Sequence, residues 1–152
     1  MRGYLAAGVP VGLGVDGSAS NDASNMLAEV RQAMLLARLR RAVAPGGEAE
    51  GWATAREMLE VATLGGAAVL GRADIGALEA GRCADFFTVP LDGVALAGAL
   101  ADPVAAAVFC APQPARHVVV HGRPVVRDGA LLTVDLPAVV REHNANAARL
   151  RG

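Results

Sequence analysis

Asp16 is the acid in this sequence best placed to do chemistry. It closes the run Val9-Pro10-Val11-Gly12-Leu13-Gly14-Val15-Asp16-Gly17. Strand side chains alternate with period two. Val9, Val11, Leu13 and Val15 therefore fall on one face, and Pro10, Gly12, Gly14 and Asp16 on the other. One face is aliphatic and the other is nearly bare, with a single carboxylate at its C-terminal end. A parallel barrel strand has this pattern. Its aliphatic face packs on outer helices, small residues fit the crowded interior, and the acid points into the mouth, where barrel active sites sit. A simple Asp-Gly turn after a short apolar run is the alternative.

Other constellations carry less. Gly12-Leu13-Gly14-Val15-Asp16-Gly17 matches Gly-x-Gly-x-x-Gly in form. A dinucleotide site needs a strand before the first glycine and a helix opening at the last. Here the glycines lie inside the strand, and Asp16 would set an anion against the pyrophosphate. His117 and His121 are four apart on an expected strand and would share a face, which suits a metal pair. No third ligand stands at plausible spacing, so solvated or capping histidines are the preferred reading. His143 sits among apolar helix neighbours and reads as a packing residue. No Gly-x-Ser-x-Gly and no His-x-x-Glu-His occurs, and neither cysteine has a base beside it.

The elements that must position Asp16 follow from local signals. Residues 1–8 look like the last turns of a helix capped by Gly8. The polar loop Ser18 to Asn25 is rich in helix N-cap types. Met26 to Val43 reads as a helix, with Met26, Val30, Ala33, Met34 and Ala37 on one stripe. Pro45-Gly46-Gly47 ends it. Thr54-Ala55-Arg56-Glu57 is a capping box. The helix it opens runs to about Leu64, breaks or kinks at Gly65-Gly66, and regains a turn over Ala67 to Leu70.

Beyond Gly71 the texture changes. Ile75 to Gly81 is turn-rich and leads into a strand over Ala84 to Val89. Pro90 to Pro103 is a loop with a short helical possibility, and Ala105 to Cys110 is a candidate strand. His117 to Gly129 reads as a β-hairpin turning at Gly122. Asp135-Leu136-Pro137 opens a last helix, with Asp135 as its cap. Three parts result: 1–71, 72–134 and the helix 135–152.

Composition sets the limits. The chain has 152 residues, enough for one domain with a modest core. All 14 basic residues are arginine, and the net charge is −1. No basic patch for nucleic acid and no acidic tail results. Arg38, Arg40 and Arg41 read as a solvated helix end near a favourable dipole. Cys83 and Cys110, with no Cys-x-x-Cys, suggest reduced, buried thiols in a cytoplasmic protein. No apolar run reaches membrane-spanning length, and the N-terminal apolar stretch is too short for a signal peptide.

A family resemblance rests on four segments. Gly12 to Asp22, followed by Asn25-Met26-Leu27-Ala28-Glu29-Val30-Arg31-Gln32-Ala33, resembles the eighth barrel strand and following helix of the amidohydrolase superfamily. It is most similar to the branch of 8-oxoguanine deaminases and triazine hydrolases. Ala62-Thr63-Leu64-Gly65-Gly66-Ala67 resembles that branch's next helix. Gly76 to Asp85 resembles its return to a small β domain, and Val120 to Gly129 the hairpin near its end. The implied fold is α/β: the last strand and helices of a TIM-like (β/α)8 barrel, part of a small β-sandwich domain, and a C-terminal helix.

In this family Asp16 corresponds to the strand-eight aspartate, which binds or lies beside one divalent metal, zinc or alternatively iron. A metal lowers the pKa of water, and a nearby carboxylate shuttles the proton. The implied reaction is hydrolytic deamination of an oxidised purine, releasing ammonia. A hydroxytriazine or chlorotriazine aminohydrolase is the alternative substrate class. The Ser18 to Asn21 loop would line the mouth, with Ser18 and Asn21 in reach of a small azaheterocycle. The implied partners are that substrate, not nucleic acid or membrane, and a homo-oligomer stays open for a full-length parent. The family's His-x-His and two later histidines are absent and are expected upstream of Met1. This chain alone is expected to lack deaminase activity and to bind zinc poorly. A truncated product with no catalysis, serving only as an interaction module, is the competing class.

Overall fold

A computed structural model describes residues 2–21, 23–43, 52–110 and 113–152. The expected stop at Pro45-Gly46-Gly47 lies outside the described residues. The helices are α1 (Arg2–Ala6), α2 (Met26–Ala42), α3 (Ala55–Glu60), α4 (Gly66–Val69), α5 (Pro103–Phe109) and α6 (Leu136–Leu150). The strands are β1 (Phe86–Thr88), β2 (His117–Val120), β3 (Arg123–Arg127) and β4 (Ala130–Leu131). Contacts divide the chain into two units, Met1–Cys83 with Leu91–Gln113 and Ala84–Pro90 with Pro114–Gly152.

The first unit is helical. Asn25 caps α2 by accepting from the Ala28 N–H at 3.1 Å. The stripe then buries Val30 and Met34, with Ala33 and Ala37 packed beside them, whereas Met26, expected on the same stripe, is exposed in the first turn. Thr54 and Glu57 form the expected reciprocal capping box at the start of α3. The core joins Val30 and Met34 to Ala53, Ala55, Met58, Val61 and Val108. Arginines spaced seven apart on α2 fasten this layer. Arg38 Nε donates to the Ala53 carbonyl at 2.8 Å, and its guanidinium lies over the rings of Phe109 and Trp52. Arg31 Nε donates to the Phe109 carbonyl at 3.3 Å. Arg38 is thus a clamp and not the solvated helix end expected of it.

Two segments of this unit depart from expectation. Ala105 to Cys110 is not a strand: Ala105 to Phe109 lie in α5 and Cys110 caps it. Asp102 accepts from the Ala105 N–H and Pro103 occupies the first turn, so the run begins as a helix. Gly65-Gly66 does not break the helix opened at Thr54. The chain passes through a π-helical turn at Val61–Gly65 and continues directly into α4.

The second unit holds a four-stranded antiparallel meander in the order β1-β2-β3-β4. Its tight turns are His121-Gly122 and Asp128-Gly129, each with both residues at positive φ. This is the backbone that two-residue hairpin loops favour. The ladder shifts register between Val118 and Val119, opposite Pro124, where a missing N–H is tolerated. Asp135 caps α6 by accepting from the Ala138 N–H. No residue of α6 is buried. His143, expected to pack, is exposed. Among the described residues, no helix is long and apolar enough to cross a membrane.

Candidate functional site

The segment carrying Asp16 forms no β-ladder, against the strand expected at Val9 to Val15. A strand exists by pairing, and no other described segment pairs with this one. The alternation still expresses itself in packing, since Val11 and Leu13 lie against the helical core. Glycine makes the approach possible. A Cβ on Gly65 would stand 2.2 Å from the Val11 carbonyl oxygen, and one on Gly12 would stand 2.9 Å from Gly66 Cα. Two stretches of backbone therefore touch where side chains would hold them apart. At Gly12 the bare face meets the helix; at Gly14 it meets open space.

Asp16 follows at φ 63°, a left-handed conformation uncommon for a residue with a side chain. Its carboxylate is exposed, and Oδ1 accepts from the Gly17 N–H at 2.8 Å. The next turn closes on Gly17, whose carbonyl accepts from both the Ser20 and Asn21 N–H groups. Ser18 is exposed within that turn. Asn21 uses both ends of its side-chain amide internally. Oδ1 accepts from the Ala23 N–H at 3.1 Å, and Nδ2 donates to Glu29 Oε1 at 2.6 Å. Asn21, expected within reach of substrate, is bonded to Glu29, a residue that no sequence pattern singles out. The pair spans a loop and a helix, so no periodicity links them.

The remaining candidates gather elsewhere. His121 occupies the β2–β3 turn at φ 49°, and its N–H donates to the Asp85 carboxylate. It shares no strand face with His117, which removes the basis for a metal pair. His117 Nδ1 accepts from the Asp128 N–H at 3.4 Å. Cys83 and Cys110 stand in no disulfide and are half-buried, not buried as expected. Cys83 Sγ donates to Asp74 Oδ2 at 3.3 Å. Arg72 grips the same carboxylate with two bonds, Nε to Oδ1 at 2.7 Å and Nη2 to Oδ2 at 2.6 Å. The Arg72 guanidinium, with help from the Cys83 thiol, holds the Asp74 carboxyl well below the usual carboxylate range.

A zinc site takes four ligands, and a catalytic one takes three from protein. Among the described residues, no three His, Cys, Asp or Glu side chains converge to hold a metal. These residues do not build a metal centre by themselves; Asp16 can offer one oxygen donor to a centre assembled with others.

The amidohydrolase family model matches residues 1–125. This chain belongs to the amidohydrolase family. Among relatives of the family, the 8-oxoguanine deaminase of Pseudomonas aeruginosa is 47% identical over 145 residues, covering 95% of this chain and 30% of that protein. The hydroxydechloroatrazine ethylaminohydrolase of Pseudomonas sp. strain ADP is 40% identical, covering 86% of this chain and 26% of its own length. Among solved amidohydrolase structures, atrazine chlorohydrolase from Arthrobacter aurescens TC1 complexed with zinc superposes with a TM-score of 0.83. It is 40% identical, over 95% of this chain and 31% of that one. A zinc-bound adenosine deaminase from Xanthomonas campestris gives 0.84 at 31% identity, over 97% of this chain and 32% of that one. The chain thus spans about 30% of the length of the relatives it matches. Those relatives are two deaminases, an aminohydrolase and a chlorohydrolase of small heterocycles.

Proposed function

We propose that this chain supplies the last strand and outer helices of a (β/α)8 amidohydrolase barrel, with part of a small β domain, and that Asp16 is its catalytic acid–base. The supporting observation is Asp16 itself. It is an exposed carboxylate in a left-handed conformation, at the end of a segment seated on Gly65 and Gly66. Strained residues persist where the surroundings over-determine them, and such sites concentrate at centres of function. The remaining ligands of a divalent metal, zinc by analogy with zinc-bound relatives, come from sequence outside these 152 residues.

The reaction is hydrolytic deamination of an oxidised purine, with 8-oxoguanine the leading substrate. Water adds to the ring carbon bearing the amino group, the C–N bond breaks, and ammonia leaves. Asp16 accepts a proton as water attacks and returns it to the departing nitrogen. Greater identity to the deaminase than to the triazine enzyme favours the purine. Two cysteines outside any disulfide suit a cytoplasmic setting.

Asp16→Asn in an enzyme carrying this chain tests the role. Asparagine tolerates the left-handed backbone and still accepts the Gly17 bond, but it cannot take a proton. Turnover of 8-oxoguanine should fall on the order of 10²- to 10⁴-fold with the fold intact. Undiminished ammonia release would remove Asp16 from the mechanism. Faster turnover of a hydroxytriazine than of 8-oxoguanine would reassign the substrate. The 152-residue chain alone should release no ammonia and bind zinc only weakly by calorimetry.

A further inference from the structure

We propose that Glu29 is a positioning residue for Asp16, acting through Asn21; the inference rests on the catalytic reading of Asp16 given above. The observation is an unbroken series of hydrogen bonds. Glu29 Oε1 accepts from Asn21 Nδ2 at 2.6 Å, the Asn21 N–H donates to the Gly17 carbonyl at 2.9 Å, and the Gly17 N–H donates to Asp16 Oδ1 at 2.8 Å. The first bond runs from an amide to a carboxylate. Such charge-assisted bonds are short and strong among protein hydrogen bonds.

Each end of the series is anchored differently. Glu29 lies in the first turn of α2, four residues after the Asn25 cap and next to the buried Val30. Its backbone is therefore fixed by the core. Asp16, Gly17, Ser18, Ala19 and Ser20 are all exposed, so no packing fixes the loop. Hydrogen bonds must hold it instead. Asn21 is suited to this because its Oδ1 also accepts from the Ala23 N–H, which closes an Asx turn and leaves Nδ2 aimed at α2. A carboxylate that must meet a reacting atom needs such support, since a misplacement of about 1 Å can cost on the order of 10²-fold in rate.

Backbone ¹⁵N relaxation and the Gly17 amide shift of the 152-residue chain test this without any metal or substrate. In the wild type, amides of Gly17 to Asn21 should show order parameters near ~0.85; in Glu29→Ala they should drop below ~0.6. The Gly17 amide proton, which reports the bond to Asp16, should shift with them. Glu29→Gln should preserve both readings, because its Oε1 still accepts. Asn21→Ala should reproduce Glu29→Ala. Amides of Met34 and Met58 should stay unchanged in every variant. A loop as ordered in Glu29→Ala as in wild type would overturn the proposal. So would a Gly17 amide that does not move, or a loss of order spread through the whole helical unit. None of these outcomes bears on the Asp16→Asn turnover test, so the two readings fail separately.

Discussion

Asp16-Gly17 and Asp128-Gly129 share a dipeptide and differ in everything it does. At Asp128-Gly129 both residues are left-handed, with φ 50° and 78°, and the strands on either side pair as Arg127↔Ala130. That is a two-residue hairpin loop, and the turn itself explains the backbone. At Asp16 only the aspartate is left-handed, while Gly17 is not among the residues at positive φ and neither flank pairs as a strand. The local turn chemistry that explains the first site does not explain the second. What fixes Asp16 lies farther away, in the backbone contact of Val11 and Gly12 with Gly65 and Gly66 and in the bonds that tie its loop to α2. The two-residue hairpin form of an Asp-Gly turn is thus realised at residue 128, while at residue 16 the turn that follows closes on Gly17.

Gly65→Ala should break this contrast most severely. Its Cβ would need the space of the Val11 carbonyl, 2.2 Å away, and neither backbone can yield cheaply. We expect a loss of about 3 kcal/mol, at the upper end of overpacking costs. Urea titration should show it as a lower midpoint, with the Asp128 hairpin amides unshifted by NMR. Gly66→Ala is the matched control. It meets nothing within 4 Å and sits in helical backbone, so it should be neutral or stabilising, by roughly 0.5–1 kcal/mol. Equal effects from the two alanines would mean that the Val11 contact is not tight.

The glycines of the two dipeptides sharpen the comparison at smaller magnitude. Gly129→Ala places a side chain at φ 78° and should cost about 1–2 kcal/mol. Gly17→Ala meets open space at an ordinary φ and should change stability by less than about 0.5 kcal/mol. A thermal melt of each variant distinguishes them. If Gly17→Ala proved the costlier, Gly17 would have a constraint that its backbone angles do not reveal.

What could be read from the sequence followed the range of the interaction. The caps at Asn25, Thr54 and Asp135, the α2 stripe from Val30 to Ala37 and the hairpin turning at Gly122 are local, and each stands where its residue types place it; Met26 alone leaves the stripe. The short apolar run 105–110 could not be typed by periodicity, because buried strands and helix segments look alike over six residues. The deciding signal was Asp102-Pro103 just before it. The ladder expected at Val9 to Val15 depends on a neighbour that the run itself cannot encode. For the site, Asp16 stood out by its lone charge. Its supports did not, because Gly65 on Val11 and Glu29 on Asn21 are tertiary contacts between residues of no shared pattern.

A third aspartate extends the comparison to charge. Asp74 is held by the Arg72 fork and the Cys83 thiol, whereas Asp16 is bonded to the Gly17 N–H, with no cation of the described residues paired to it. The folded-state pKa of Asp74 is depressed, so its ionised form favours the folded loop. That contribution is fully present above the unfolded carboxylate value of about 4 and is lost as pH falls below it. The group is exposed and its ion pair is screened, so the effect should be smaller than that of any of the glycine substitutions expected to destabilise. Acid titration followed through the Cys83 amide, whose N–H donates to the Asp74 carbonyl at 2.8 Å, should show the loop loosening only on the acid side of that range. Asp74→Asn should remove the dependence, and Asp16→Asn should leave it in place. An acid midpoint of the loop that is the same in Asp74→Asn as in the unmodified chain would mean that the Arg72 fork adds nothing to its stability, and that the two carboxylates differ in neighbours but not in consequence.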